Sequence, residues 1–344
     1  MHKGPLRLMA VLAITAASAL IIRKAAAPKP PEFTTGHSGT RMVMGTFANI
    51  TAVAEDEKTI AESIEAAYKQ LVAVDEMMSD YKEDSELSVV NREAYERPVQ
   101  VSEPLFDVLQ TSVAYSKLSG GAFDVTIGPV VQLWRSIDKK GTRPTDEEMA
   151  AARARVGYEK LILDDEKRTV RFAEPGMLLD LGAIAKGYGI DRAIEAMQAA
   201  GAAGGLVDVG GDIRCFGISP KMTRVWRIGL DNPDGSGDIP MVLNLSDTAI
   251  ATSGDYRRFV MLDDQRYSHI IDPAAGSSAN GLTSVTIIAS RAVEADALAT
   301  AVSVLGQKKG LELVESVGNT EAVIIPGGSG LEFIKTSGAD AFID

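Results

Sequence analysis

Residues 179–212 read LDLGAIAKGYGIDRAIEAMQAAGAAGGLVDVGGD, and the way this stretch divides decides the fold class. Ala183–Ala200 reads as a helix, Leu206–Val209 as a strand, and Gly210-Gly211 bends the chain at its end. On either side, long helices and short strands follow one another without regular alternation. Thr46–Ala54 reads as a strand. Lys58–Met78 carries Ile60, Ile64, Ala67, Leu71, Val74 and Met78 at helical spacing. Pro104–Leu118 and Thr145–Val156 read as helices, the second opening on a Thr145/Glu148 capping box. Lys160–Leu163 with Thr169–Phe172 reads as a hairpin. Val225–Leu230, Met241–Leu245 and Ser284–Ala289 add strands, Val293–Leu305 is a helix, and Ala322–Ile334 is a glycine-turned hairpin. A parallel βαβ sheet needs regular alternation. Its absence predicts an α+β class, with mixed, largely antiparallel sheets and packed helices.

The 344 residues are 45% hydrophobic and carry 35 Lys plus Arg against 47 Asp plus Glu, a net charge of −12. That balance excludes a nucleic-acid binder, which needs a basic face. A single cysteine, Cys215, excludes an intramolecular disulfide and cysteine-built metal centres. Three histidines exist, and only His269 lies beyond residue 40.

Lys3 and Arg7 precede the apolar run Leu8–Ile22, followed by Arg23, Lys24 and small residues up to Pro28. This is the pattern of a secretory signal. Arg23, Lys24 and Pro28 disfavour cleavage, so an uncleaved N-terminal anchor is the alternative. Both predict a body on the periplasmic side of the inner membrane, touching the membrane only through its N-terminal segment. Residues 1–40 are expected as signal or anchor plus linker, and 41–344 as the functional domain.

Two familiar motifs fail. Gly187-Tyr188-Gly189-Ile190-Asp191-Arg192 lacks the third glycine of a dinucleotide fingerprint and lies inside a helical pattern. Gly327–Leu331 misses the last position of a nucleophile elbow. Other features stay open. Asp180 before the Ala183–Ala200 helix, with Lys186 inside it, reads as an anion site or as a plain strand–turn–helix with Asp180 as a cap. Asp296 and Thr300 stand four apart on one helix face, two hard oxygen donors suited to magnesium or calcium. His269 is a base or a structural imidazole. Asp272 before Pro273 orients it or starts a turn.

Taken in order, eight segments resemble the FAD:protein FMN transferase family, also called the ApbE family. They are Met44-Gly45-Thr46, Tyr81, Gly121-Ala122-Phe123-Asp124, Asp180–Gly187, Val209-Gly210-Gly211-Asp212, Thr252–Tyr256, His269–Pro273 and Ala295–Thr300. The resemblance implies an FAD-binding flavin transferase that moves FMN from FAD to a Thr or Ser hydroxyl of an acceptor protein carrying a flavinylation-type motif. It implies FAD contacts at Ala122, Phe123, Asp124, Asp180, Lys186 and Ile270, with Met44 and Tyr81 packing on the flavin. It implies Mg²⁺ held by Asp296, Thr300 and the carbonyl of Ala183, and His269 as base, with Asp272 the other choice. The competing readings are an FAD reserve protein and a Mg²⁺-dependent FAD pyrophosphatase. The family's familiar lipoprotein cysteine is absent after the apolar run.

Overall fold

Among the described residues, a nine-stranded sheet runs in the order β1 (Thr34–His37), β3 (Thr46–Ala54), β7 (Gly204–Val209), β8 (Asp212–Gly217), β11 (Ala249–Gly254), β16 (Leu282–Ala289), β17 (Glu321–Pro326), β18 (Ile334–Lys335), with β2 (Arg41–Val43) also on β3. Every pairing in it is antiparallel. The computed structural model describes residues 32–344 apart from 141, 255–258, 263–264 and 329. The leader, and Asp255 and Tyr256 of the Thr252–Tyr256 motif, lie outside the described residues. Phe33–Asp344 form one compact unit, and β1 carries the sheet N-terminal to residue 41.

Strand alternation sorts side chains to two faces. Ala48, Ile50 and Ala52 of β3 pack with α1 (Glu57–Met78) and α6 (Ala185–Ala199). Val53, facing the other way, joins Cys215, Ile250, Ile288 and the hairpin β9 (Trp226–Leu230)–β10 (Met241–Leu245). α7 (Ala292–Ser316) lies on the helical side against β11, β16 and α6. Helix α1 buries the very stripe its sequence spacing marks, Ile60 through Met78. Burying such a stripe, rather than intrinsic propensity, is what stabilises a helix of this kind.

A second group stands beside the sheet. It comprises α2 (Glu86–Glu93), α3 (Glu103–Leu118), α4 (Gly128–Lys140), α5 (Asp146–Arg153) and the small sheet β4 (Val99–Gln100), β6 (Thr169–Phe172), β5 (Leu161–Asp164). The Thr145/Glu148 capping box forms as expected. Two short hairpins complete the chain: β12 (Phe259–Leu262) with β13 (Gln265–Ser268), and β14 (Ile271–Asp272) with β15 (Ser277–Ser278).

Three local differences from the sequence reading matter for the site. Helix α6 starts at Ala185, because Ile184 (φ −151°, ψ −28°) is not helical, which leaves Ala183 in the preceding loop. Gly210 and Gly211, at φ 64° and 92°, form a two-residue hairpin turn between β7 and β8 rather than a plain bend. That turn delivers Asp212 as the first residue of β8. Helix α4 escaped recognition because Gly128-Pro129 at its start reads as a turn.

Candidate active site

A cleft of about 600 Å³ opens where the loop before α6, the first turns of α7, the ends of β8 and β11, α4 and the β13–β14 connection meet. That volume suits a ligand larger than a single metabolite fragment. Eleven of the twelve expected site residues line it: Tyr81, Ala122, Phe123, Asp124, Asp180, Ala183, Lys186, His269, Ile270, Asp296 and Thr300. Met44 does not. It takes a left-handed turn (φ 53°) and packs against both large core clusters instead, beside Gly189 of α6.

The centre of the cleft is a three-residue ion cluster. Lys186 Nζ donates to Asp212 and, at 3.1 Å, to Asp296 Oδ1. Asp296 Oδ2 accepts the amide of Gly187 at 3.0 Å, and Asp212 Oδ1 accepts that of Thr252 at 3.2 Å. Burial pulls the Lys186 ammonium down, but the two carboxylates outweigh it and hold its pKa above the usual lysine range. Burial pushes Asp296 up to about 6 against the pull of Lys186. Two buried carboxylates thus face one ammonium, leaving a surplus negative charge where charge is expensive.

The donor set around that surplus fits a hard cation. Asp296 and Thr300 share a face of α7, one turn apart. The amide that would close a helical turn on Ala183, that of Gly187, is instead donated to Asp296, so the Ala183 carbonyl is available on the cleft wall. Carboxylate, hydroxyl and carbonyl oxygens suit Mg²⁺ or Ca²⁺ rather than Zn²⁺. Among the described residues no group of three His, Cys, Asp or Glu side chains can hold a metal, so a cation here needs Thr300 and the main chain as partners.

The other expected residues divide. Asp180 does not cap α6. Its Oδ1 accepts the amide of Gly182 at 2.8 Å, and its Oδ2 pairs with Arg135 at 2.7 Å. Burial raises its pKa against the pull of Arg135. Asp124 is occupied internally, accepting Thr126 N at 2.8 Å, Thr126 Oγ1 at 2.7 Å and Tyr158 N at 2.9 Å; burial raises its pKa as well. The Phe123 ring, 1% exposed, belongs to the core. The stretch thus lines the cleft with the Phe123 side chain committed to the core and that of Asp124 to internal hydrogen bonds.

His269 is exposed on the cleft rim between buried Ser268 and Ile270. Ser278 Oγ donates to the Ser268 carbonyl at 2.9 Å, and Ile270 N donates to Ser268 Oγ at 3.1 Å, fixing the backbone on both sides of it. Asp272 serves the turn: its Oδ1 accepts the amides of Ala274 at 2.8 Å and Ala275 at 3.2 Å, and it is not part of the cleft wall.

Sequence reading missed Arg135, Trp134 and Tyr267 on this wall, and quoted Asp212 and Thr252 within their motifs without assigning either a role. Arg135 and Trp134 stand on α4, where Val130, Trp134 and Ile137 at helical spacing were the available signal. The burial of Asp191 is equally unannounced. This residue of α6, fully buried, accepts the amides of Ala292 at 2.9 Å and Val293 at 3.1 Å, capping α7 from a neighbouring helix. It thereby fixes the helix that carries Asp296 and Thr300.

Residues 44–324 match the ApbE family. The chain is 36% identical over 281 residues to an FAD:protein FMN transferase of Vibrio cholerae, covering 79% of this chain and 82% of that one. It is 37% identical over 270 residues to the FAD:protein FMN transferase of Haemophilus influenzae, covering 76% and 77%. Among solved structures, the ApbE protein of Thermotoga maritima superposes with a TM-score of 0.81 at 31% identity, covering 91% of this chain and 100% of that one. The flavin transferase ApbE of Vibrio cholerae gives 0.79 at 32% identity, covering 90% and 100%.

Proposed function

The chain belongs to the ApbE family, and on that premise we infer that it is an FAD:protein FMN transferase, moving FMN from FAD to a hydroxyl of an acceptor protein. The observation that carries this reading is the convergence of eleven expected residues on one cleft around the Lys186–Asp212–Asp296 cluster.

The residues have separable tasks. FAD brings a dianionic diphosphate to a chain of net charge −12, so attraction must be local. Asp296, Thr300 and the Ala183 carbonyl would hold Mg²⁺, which would polarise the phosphoryl oxygens and offset charge on the departing AMP. Lys186, tied on one side to Asp212, adds a fixed positive charge beside the diphosphate. His269 takes the proton of the acceptor's Thr or Ser hydroxyl. That oxygen bonds to the FMN phosphorus, the anhydride bond breaks, and its electron pair leaves with AMP. The exposure of His269 suits a base that must meet a hydroxyl presented by another protein. Asp272, with an oxygen spent on turn amides, suits that task less.

The basic and apolar N-terminal segment supports work on the periplasmic side of the inner membrane, the segment either serving as anchor or being cut away. Fractionation of cells, with the chain size read on a blot, tests both points.

The decisive experiment mixes the protein with FAD, Mg²⁺ and an acceptor carrying a flavinylation-type Thr or Ser motif. Covalent fluorescent flavin on the acceptor, with one AMP released per flavin, is expected. Absence of both refutes the reading. Free FMN plus AMP without acceptor would identify a pyrophosphatase, and FAD retention without turnover a reserve protein.

A further inference from the structure

We propose that Arg135 is a positioning residue that sets Tyr81 as a rigid plate for the flavin ring of FAD. The inference rests on the transferase reading and extends it to a residue outside the sequence motifs.

Tyr81 is 76% exposed, in the loop after α1. So open an aromatic side chain is ordinarily free to sample several rotamers, and a ligand that stacks on it must first immobilise it. Here Arg135 removes that freedom. Its guanidinium lies 4.6 Å over the Tyr81 ring, a cation–π distance. Its two terminal nitrogens reach separate carboxylates, Nη1 to Asp80 and Nη2 to Asp180 at 2.7 Å. Asp80 is the neighbour of Tyr81, so the first bond fixes the backbone beneath the ring while stacking fixes the ring itself. Asp180 belongs to the loop that leads to Lys186, so the second bond ties the plate to the ion cluster's own loop.

One planar group thus spans two loops far apart in sequence and covers one face of Tyr81, leaving the other for a ligand. Tyr81, Arg135 and Asp180 all line the cleft. The geometry depends on the flat fork of arginine. A lysine carries the charge but neither spans two carboxylates in one plane nor stacks. The expected role is in binding FAD, because none of these contacts changes as the diphosphate is broken.

The test measures FAD affinity by flavin fluorescence quenching, and kcat at saturating FAD, in wild type, R135K, Y81L, Y81F and Y81L/R135K. R135K and Y81L are each expected to weaken FAD by about tenfold, with kcat within about twofold of wild type. Y81F, which keeps the ring, retains affinity. Adding R135K to Y81L weakens FAD by clearly less than it does in wild type. Undiminished FAD affinity in R135K, or fully additive losses in the double variant, overturns the proposal. So does a fall in kcat at unchanged affinity. Should R135K fail to fold, full affinity in Y81L overturns it alone. Wild-type protein that binds no FAD overturns the transferase reading itself, a separate result from wild-type binding with R135K undiminished.

Discussion

Replacing Gly187 by alanine sets two effects of known size against each other. Gly187 lies in α6, where alanine is favoured over glycine by about 1 kcal/mol. Yet α6 meets the start of α7 there. An added Cβ would stand 2.3 Å from the Ala292 carbonyl oxygen, 2.6 Å from its carbon and 2.7 Å from Val293 Cα. All three are backbone atoms, so no rotamer change relieves them. The helices must part by about 1 Å to restore ordinary contact, and overpacking of this kind costs about 1–3 kcal/mol. The clash outweighs the gain: a net loss of up to about 2 kcal/mol, or up to roughly 3 °C in Tm for a chain of this size. The functional effect is larger. The Gly187 amide to Asp296 (3.0 Å) and Lys186 to Asp296 (3.1 Å) both cross the α6–α7 seam, and 1 Å takes both out of hydrogen-bond range. Misplacement on that scale lowers kcat/KM by about 10²-fold. Thermal denaturation and the flavinylation assay, run on one preparation, read both. A variant that melts above wild type and keeps its activity refutes the argument, since the helix gain would then stand unopposed.

Asp191→Ala removes the cap of α7 and the buried partner of Arg214, whose Nη1 lies 2.6 Å away; a urea titration should show a loss of about 3–5 kcal/mol, and a loss under 1 would deny the cap its importance. His269→Ala should lower kcat by about 10²–10⁴-fold with FAD affinity unchanged, and equal loss of binding would mark the imidazole as structural. Proton and metal compete for Asp296, whose carboxyl is pushed up to about 6 by burial against the pull of Lys186. The deprotonated form prevails above that pH, so Mg²⁺ affinity should be level there and fall about tenfold per pH unit below it. Calorimetric titration from pH 5 to 8 checks this, and a flat profile removes Asp296 from the ligand set.

Much of the scaffold was legible because its signals are local. The stripe from Ile60 to Met78, the Thr145–Glu148 box and the hairpin of residues 161–172 each depend on neighbours within a turn or a strand. Where local signals conflict, the reading failed. Gly128-Pro129 hid α4, and with it Arg135 and Trp134. Ala183 and Ile184, good by composition for a helix, stay outside α6, whose first turn has lost the Gly187 amide to a carboxylate 109 positions away. Met44, quoted with its motif, has a left-handed backbone and stands beside Gly189 of α6 at the edge of the core, a placement that its own segment does not announce.

Composition and spacing alone determined that this chain is an acidic α+β protein with two oxygen donors one helical turn apart and one histidine in its body. Only the tertiary structure decided who partners whom. Lys186 finds Asp212 and Asp296, Asp191 caps a helix a hundred residues on, and Arg135 holds two loops together. The reason is physical: a helix or strand repeats over a few residues and leaves a periodic trace, whereas an ion pair across 110 positions follows from how sheet and helices stack, and nothing in the intervening sequence encodes it.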